Sequence, residues 1–202
     1  MQYSSLPPVR HDAHMNLVHF PSRLHAAVFR LWECVPAARI AYALELAEDV
    51  IMQAAAGMGL PAQSVCPDWQ TRGYITVIRN AWHVLPYENL LRLLGWSEQQ
   101  LALALKEDDF FGVKLGDFKP YCEPIVPVEL DEAGNAQLSC IRALTKAHFA
   151  DLFDGAQPFA FFGEERRAST PVMSGEQSAK TIANTTNFLR IVIISPPILY
   201  II

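Results

Sequence analysis

The chain has 202 residues, 51% of them hydrophobic, with 16 Lys and Arg against 21 Asp and Glu, a formal net charge of −5. That is enough length and apolar content to bury a real core in one or two small domains. The acidic balance argues against a general affinity for nucleic acid, because phosphate binding needs clustered Lys and Arg.

The opening, Met1-Gln-Tyr-Ser-Ser-Leu-Pro-Pro8, has neither a basic stretch nor an apolar run of the kind that marks a secretory signal, which favours the cytoplasm. Residues 1–22 read as a flexible leader. His11, His14 and His19 fall within it and form the one metal-like cluster, but Pro7-Pro8 and Pro21 flank them and no helical frame sets their spacing. We therefore assign no metal site there.

Residues 23–112 read as a duplicated helical domain, with units 23–58 and 73–108. Laying 23–56 on 73–106 without a gap pairs Trp32 with Trp82, Pro36 with Pro86, Leu44 with Leu94 and Glu48 with Glu98. The apolar positions agree as well: Val28 with Ile78, Val35 with Leu85, Ile40 with Leu90, Ala43 with Leu93, Leu46 with Trp96 and Ile51 with Leu101. Self-similarity at a fixed period implies one supersecondary unit used twice, each copy covering the other's apolar face. Each unit predicts three short helices. The first, 23–33 or 73–83, ends before a Pro suited to the start of the next. The second spans about 37–45 or 87–95, and in the second unit it stops at Gly95, a residue fitted to a left-handed cap. Ser97 with Gln100 makes the capping-box pattern for the third helix, whereas Ala47 stands at the matching place in the first unit. Three helices with a tight turn between the last two outline a helix-turn-helix.

Residues 113–162 predict an extended arm followed by a helix. Asp108 to Pro120 reads as a turn into the arm, and Pro120, Pro124 and Pro127 keep the next stretch non-helical. Asp131-Glu-Ala-Gly134-Asn predicts a turn. Residues 136–153 predict an amphipathic helix carrying Ile141, Leu144, His148, Phe149 and Leu152 on one face. Phe159-Ala-Phe161-Phe162 suggests a strand or docking segment, residues 163–187 a linker, and residues 188–202 an apolar, β-prone tail. Arg190 and Pro196-Pro197 interrupt that tail too soon for a membrane span. It is expected to meet another domain or protein, and to mark where a further domain begins. The fold class is thus mainly α: two tandem helix-turn-helix-like units, a Pro-rich arm, one more helix and the tail.

Chemistry-bearing patterns are sparse, and no catalytic, cofactor-binding or metal residue is assigned. Cys34, Cys66, Cys122 and Cys140 are scattered without a Cys-x-x-Cys pair. His83 stands where the first unit has Glu33, which marks a boundary histidine. A glycosidase needs two carboxyl groups facing one another across a sugar, about 5–10 Å apart. Asp108-Asp109 at a helix end and Glu164-Glu165 in the linker are poor settings for such a pair. Trp32 and Trp82 could be sugar platforms, but their equivalent positions before a Pro suit core wedges.

The ordered motif Arg79-Asn-Ala-Trp82-His-Val-Leu-Pro86-Tyr-Glu-Asn-Leu90-Leu-Arg-Leu-Leu94-Gly-Trp96-Ser, continuing through Leu105-Lys-Glu-Asp108 and Lys114-Leu-Gly116 to Lys119-Pro-Tyr-Cys122-Glu-Pro124, resembles a family. It is similar to the N-terminal helical region of large bacterial proteins whose later part is similar to glycoside-hydrolase-type barrels. The resemblance covers roughly residues 23–125 and implies a non-catalytic accessory or interaction module of a carbohydrate-active protein, with carbohydrate a candidate ligand. The alternatives are an incomplete piece of a glycoside hydrolase, or a helix-turn-helix DNA-binding protein. The third helices weigh against the last. Ser97 to Asp109 carries more carboxylates than amines, and the first unit offers Glu48 and Asp49 with no base before Gly57. A DNA duplex of about 30 base pairs is accordingly expected to show no measurable binding near physiological salt, where non-specific binders reach roughly 10⁻⁴ to 10⁻⁶ M. Micromolar binding that weakens with salt would overturn this.

Overall fold

In the computed structural model, residues 4–108 and 111–148 are described, and the fold is mainly α. Eight helices lie among these residues: α1 Arg23–Leu31, α2 Ala37–Leu44, α3 Glu48–Gly57, α4 Tyr74–Ala81, α5 Tyr87–Leu94, α6 Glu98–Glu107, α7 Phe111–Leu115 and α8 Glu132–His148. Two short strands, β1 Val9–Arg10 and β2 Lys119–Pro120, pair in parallel. The residue runs 149–162, 163–187 and 188–202, with their expected helix end, aromatic run, linker and apolar tail, lie outside the described residues.

The bounds of α2 and α5, and of α3 and α6, differ by fifty residues at both ends. Local chemistry explains why. Pro36 and Pro86 occupy the N-cap positions, where their carbonyls accept the first helical bonds from Ile40 and Leu90 and no N–H is wasted. At the far ends Glu45 (φ 57°) and Gly95 (φ 71°) both adopt the left-handed conformation that closes a helix. Ser97 and Gln100 make both hydrogen bonds of the capping box at the start of α6, while Ala47 offers α3 no side-chain cap.

Helix α1 packs on α3 and α4, and α2 packs on α3 and α5, so the two three-helix sets share one core. Val28 and Ile78, Val35 and Leu85, Ile40 and Leu90, Ala43 and Leu93, and Ile51 and Leu101 are all fully buried there. Burying a side chain of this size contributes about 1.5–3 kcal/mol. Polar bonds at the α2–α5 contact repeat the fifty-residue correspondence. Arg39 of α2 donates to the carbonyls of Leu93 (2.8 Å) and Arg92 (2.7 Å) in the last turn of α5. Asn89, fifty residues on, donates to the carbonyl of Ala43 (2.7 Å) in the last turn of α2. Helix C-termini expose carbonyls without intrahelical partners, and each helix supplies the other's missing donor.

Residues 4–22, expected from sequence to be a flexible leader, lie against the helices. Leu6 is buried, the Tyr87 hydroxyl donates to the Pro7 carbonyl (3.0 Å), and the backbone N–H groups of Lys119 and Tyr121 donate to the carbonyls of Pro8 and Arg10 (both 2.9 Å). The pairing partner of β1 is more than a hundred residues away, which is why local composition does not reveal it. Residues 111–115, expected as part of a turn into an extended arm, form the short helix α7, and α8 begins at Glu132 rather than at 136. The Asp131 carboxylate accepts the Gly134 N–H (2.7 Å), so the segment expected as a turn is the first turn of the helix. Its buried positions are Gly134, Ile141 and Thr145; Leu144, expected on that face, is exposed. Arg142 donates to the Gly57 carbonyl (2.9 Å), placing a cation at the C-terminus of α3.

Glu45 is the one non-glycine residue with positive φ among the described residues. Relieving that backbone with Glu45→Gly is expected to raise the unfolding free energy by about 0.5–1 kcal/mol in urea titrations. The lost ion pair with Arg92 (2.8 Å) subtracts little, because the Glu45 side chain is largely solvated. An unchanged or lowered stability would show that the side chain outweighs the strain.

Candidate functional site

Most residues singled out by chemistry in the sequence are placed as structural parts. Trp32 and Trp82 are 4% and 0% exposed, so neither indole face is open to a sugar ring. Trp32 Nε1 donates to the Pro61 carbonyl (2.8 Å), and Trp82 stands edge-on to Tyr87 with ring centroids 5.8 Å apart. His11 stacks on Tyr121 at 4.1 Å, while His14 lies between the Tyr121 carbonyl and the Arg23 guanidinium, each 3.2 Å from Nδ1; His19 is exposed. His11 and His14 thus both lie against Tyr121. Among the described residues no three His, Cys, Asp or Glu side chains converge as metal ligands would. His83 is half-buried, and burial first, then the charges of Arg30 and Lys119, hold its pKa down at about 4. It is neutral at neutral pH and serves the unit boundary. The four thiols are unpaired with one another.

The site that stands out lies where the two units differ. At the start of the first helix, the entry to the third and the exit from the third, the first unit has Leu24, Leu46 and Met58. Fifty residues on, the second has Tyr74, Trp96 and Asp108. Leu24 and Met58 are buried and Leu46 is half-buried, whereas Tyr74, Trp96 and Asp108 all keep partial exposure. These three meet. The Tyr74 and Trp96 rings are tilted with centroids 5.2 Å apart, and the Tyr74 hydroxyl donates to Asp108 Oδ2 at 2.7 Å. That hydrogen bond to a carboxylate, foremost, holds the Tyr74 phenol above its ordinary range.

Local structure positions each member. Tyr74 opens α4 behind Gly73, where an added Cβ would come within 2.8 Å of the Trp69 carbonyl oxygen. Trp96 follows the left-handed Gly95 and precedes the N-cap Ser97, and Asp108 is the C-cap of α6. The loop before α4 adds half-buried Trp69 and exposed Gln70, whose amide donates to the Leu94 carbonyl (3.2 Å). Aromatic faces, a carboxylate and an amide at one partly exposed corner make a surface that can stack on C–H groups and bond hydroxyls.

Sequence reasoning weighed Trp32 and Trp82 as platforms and passed over Trp96 and Tyr74. The signal was in the alignment of the two units, where Trp96 is paired with Leu46: a large aromatic replacing an aliphatic at a position half-buried in both units. A second concavity, an open groove of about 630 Å³, lies between residues 4–7, α6 and α7, lined by Leu6, Ala102, Leu103, Leu105, Lys106 and Asp117. It is too shallow to sequester a substrate from water.

The four tryptophans should separate experimentally. Trp82→Ala is expected to lower the unfolding free energy by about 3–5 kcal/mol, as truncation of a large core aromatic does. Iodide should quench emission from Trp69 and Trp96 and leave that of Trp32 and Trp82; quenching of all four would reopen the wedges as platforms. Comparison of the chain with family models, with curated proteins and with solved structures finds no match.

Proposed function

We propose that the helical region is a non-catalytic accessory module of a bacterial carbohydrate-active protein, contacting carbohydrate through the Tyr74–Trp96–Asp108 corner of its second unit. The observation that carries this reading is the divergence between the units: Leu24, Leu46 and Met58 on one side, a linked tyrosine, tryptophan and aspartate on the other. The first unit holds Leu24 and Met58 covered and Leu46 half-covered at these places, so their exchange for a linked, part-exposed tyrosine, tryptophan and aspartate supports a ligand at this corner. Sugars present apolar C–H faces with hydroxyl edges, and the corner offers an aromatic surface with a carboxylate and an amide beside it.

Binding fits better than hydrolysis. The Asp108 carboxylate already accepts the Tyr74 hydroxyl, and cleavage of a glycosidic bond needs one carboxyl poised to protonate and another facing it. The acidic third helices favour carbohydrate over DNA as the ligand, since α6 carries Glu98 and Glu107 against Lys106.

Two-dimensional ¹H–¹⁵N NMR of the full chain, titrated with β-glucan, xylan and chitin oligosaccharides, tests the reading. Saturable shifts are expected for amides around Gln70, Tyr74 and Trp96, with a dissociation constant of roughly 1 mM. Trp96→Ala should weaken binding about tenfold, equivalent to about 1.4 kcal/mol, with the helical circular dichroism preserved. No shift with any of these sugars at about 10 mM, ten times that constant, would remove the carbohydrate assignment.

A further inference from the structure

Lys119 and Cys122 lie three residues apart in the arm, and both side chains turn inward, 1% and 4% exposed. Lys119 Nζ is 3.5 Å from Cys122 Sγ and donates to the Trp82 carbonyl. The Trp82 and Tyr87 ring centroids lie 5.2 and 5.5 Å from it. Among the described residues no carboxylate forms an ion pair with Lys119. A buried ammonium needs a counter-charge or must give up its proton, and the acidic group in contact is the Cys122 thiol. Burial presses the Lys119 amine downward while Cys122 pulls it back up. The amine and the sulfur therefore face one another at contact distance, and the free amine and the thiolate are the reactive forms of these side chains.

We propose that Lys119 and Cys122 are a redox modification site, closing to an intramolecular Sγ–Nζ sulfenamide when hydrogen peroxide reaches the arm. In the first step the Cys122 thiolate attacks one peroxide oxygen. An S–O bond forms, the O–O bond breaks, and the departing hydroxide takes the proton of the Lys119 ammonium to become water. Sulfur loses two electrons and peroxide gains them, leaving a sulfenic acid beside a neutral amine. In the second step the Lys119 nitrogen attacks that sulfur. An S–N bond forms, the S–O bond breaks, and hydroxide leaves with an amine proton as a second water. The protein has then lost two hydrogens. Two equivalents of a thiol reductant reverse the link, returning thiol and amine and forming the reductant's disulfide.

Two features favour closure over a persistent sulfenic acid. The amine already sits at contact distance, so the second step is intramolecular with the advantage of a held partner. Pro120 lies between the two residues and limits the backbone freedom of the loop that must close. Peroxide is close to water in size. The arm is paired to residues 8–10 through the N–H groups of Lys119 and Tyr121, so local opening of these two bonds admits it.

The test uses the full chain with Cys34→Ser, Cys66→Ser and Cys140→Ser, so that no disulfide can account for a loss of hydrogen within one chain. After brief treatment with a small excess of peroxide, intact mass is expected to fall by two hydrogens, with dithiothreitol restoring it. Fragment spectra should lack cleavages between Lys119 and Cys122. Adding Lys119→Met should turn the loss into the gain of one oxygen, with Cys122 now labelled by dimedone. If the triple variant does not fold, fragment spectra of the unsubstituted chain place the link by the same missing cleavages. Dimedone labelling of Cys122 with Lys119 present, or, in the unsubstituted chain, a Cys122 thiol left intact by peroxide that oxidises Cys66 and Cys140, would overturn the proposal.

Discussion

A helix of eight residues leaves nearly half its carbonyls without intrahelical partners, and the shared core of this protein depends on how α2 and α5 meet that demand. Neither helix closes its own end with a polar side chain. Arg39 reaches from α2 into the last turn of α5, and Asn89 reaches from α5 into the last turn of α2. The donors stand fifty residues apart, and so do the acceptors Ala43 and Leu93. Their reciprocity also sets the depth of the packing. Only when the helices lie close enough for these bonds can Ile40 and Leu90 lose all contact with water.

The connectors extend the same logic to the turns between first and second helices. Gln63, in the segment between the units, donates to the carbonyls of Trp32 (2.7 Å) and Val35 (2.9 Å) and accepts the Ala37 N–H (2.8 Å). Lys119, in the segment after the second unit, donates to the carbonyl of Trp82. Two unrelated side chains thus satisfy the same carbonyl in each unit, one neutral and one bringing a buried amine. The amide satisfies its turn without charge. The amine lies among Trp82, Tyr87 and Cys122, and its own residue forms part of the strand pair.

Shared architecture also makes the differences informative. Most positions that keep an apolar residue in both units lie in the core, so a polar or aromatic exchange at the edge of that core stands out. Tyr74, Trp96 and Asp108 disagree as a group and touch one another, which single exchanges at unrelated surface sites would not produce. His83 and Glu33 disagree too, but His83 is half-buried and held neutral by burial and the nearby charges of Arg30 and Lys119.

The sequence by itself determined the mainly α fold, and local signals anticipated the starts of α2, α3, α5 and α6, while α7 and the start of α8 escaped them. These follow from interactions reaching at most a turn or two along the chain: apolar residues three and four apart, Pro at helix starts, Gly95 and the Ser97–Gln100 box. The burial of Trp32 and Trp82 was legible for the same reason. Only the tertiary structure decided what residues 4–22 do, because β1 finds its partner beyond the whole helical region. It also decided that Leu144 faces water, since α8 meets α3 through Leu138 and Arg142 at Gly57, a neighbour no local pattern names. The tyrosine–tryptophan–aspartate corner and the Lys119–Cys122 contact belong to this second kind. Each residue was visible in the sequence, but its chemistry comes from a partner brought near by folding, and distance through space is not written in distance along the chain.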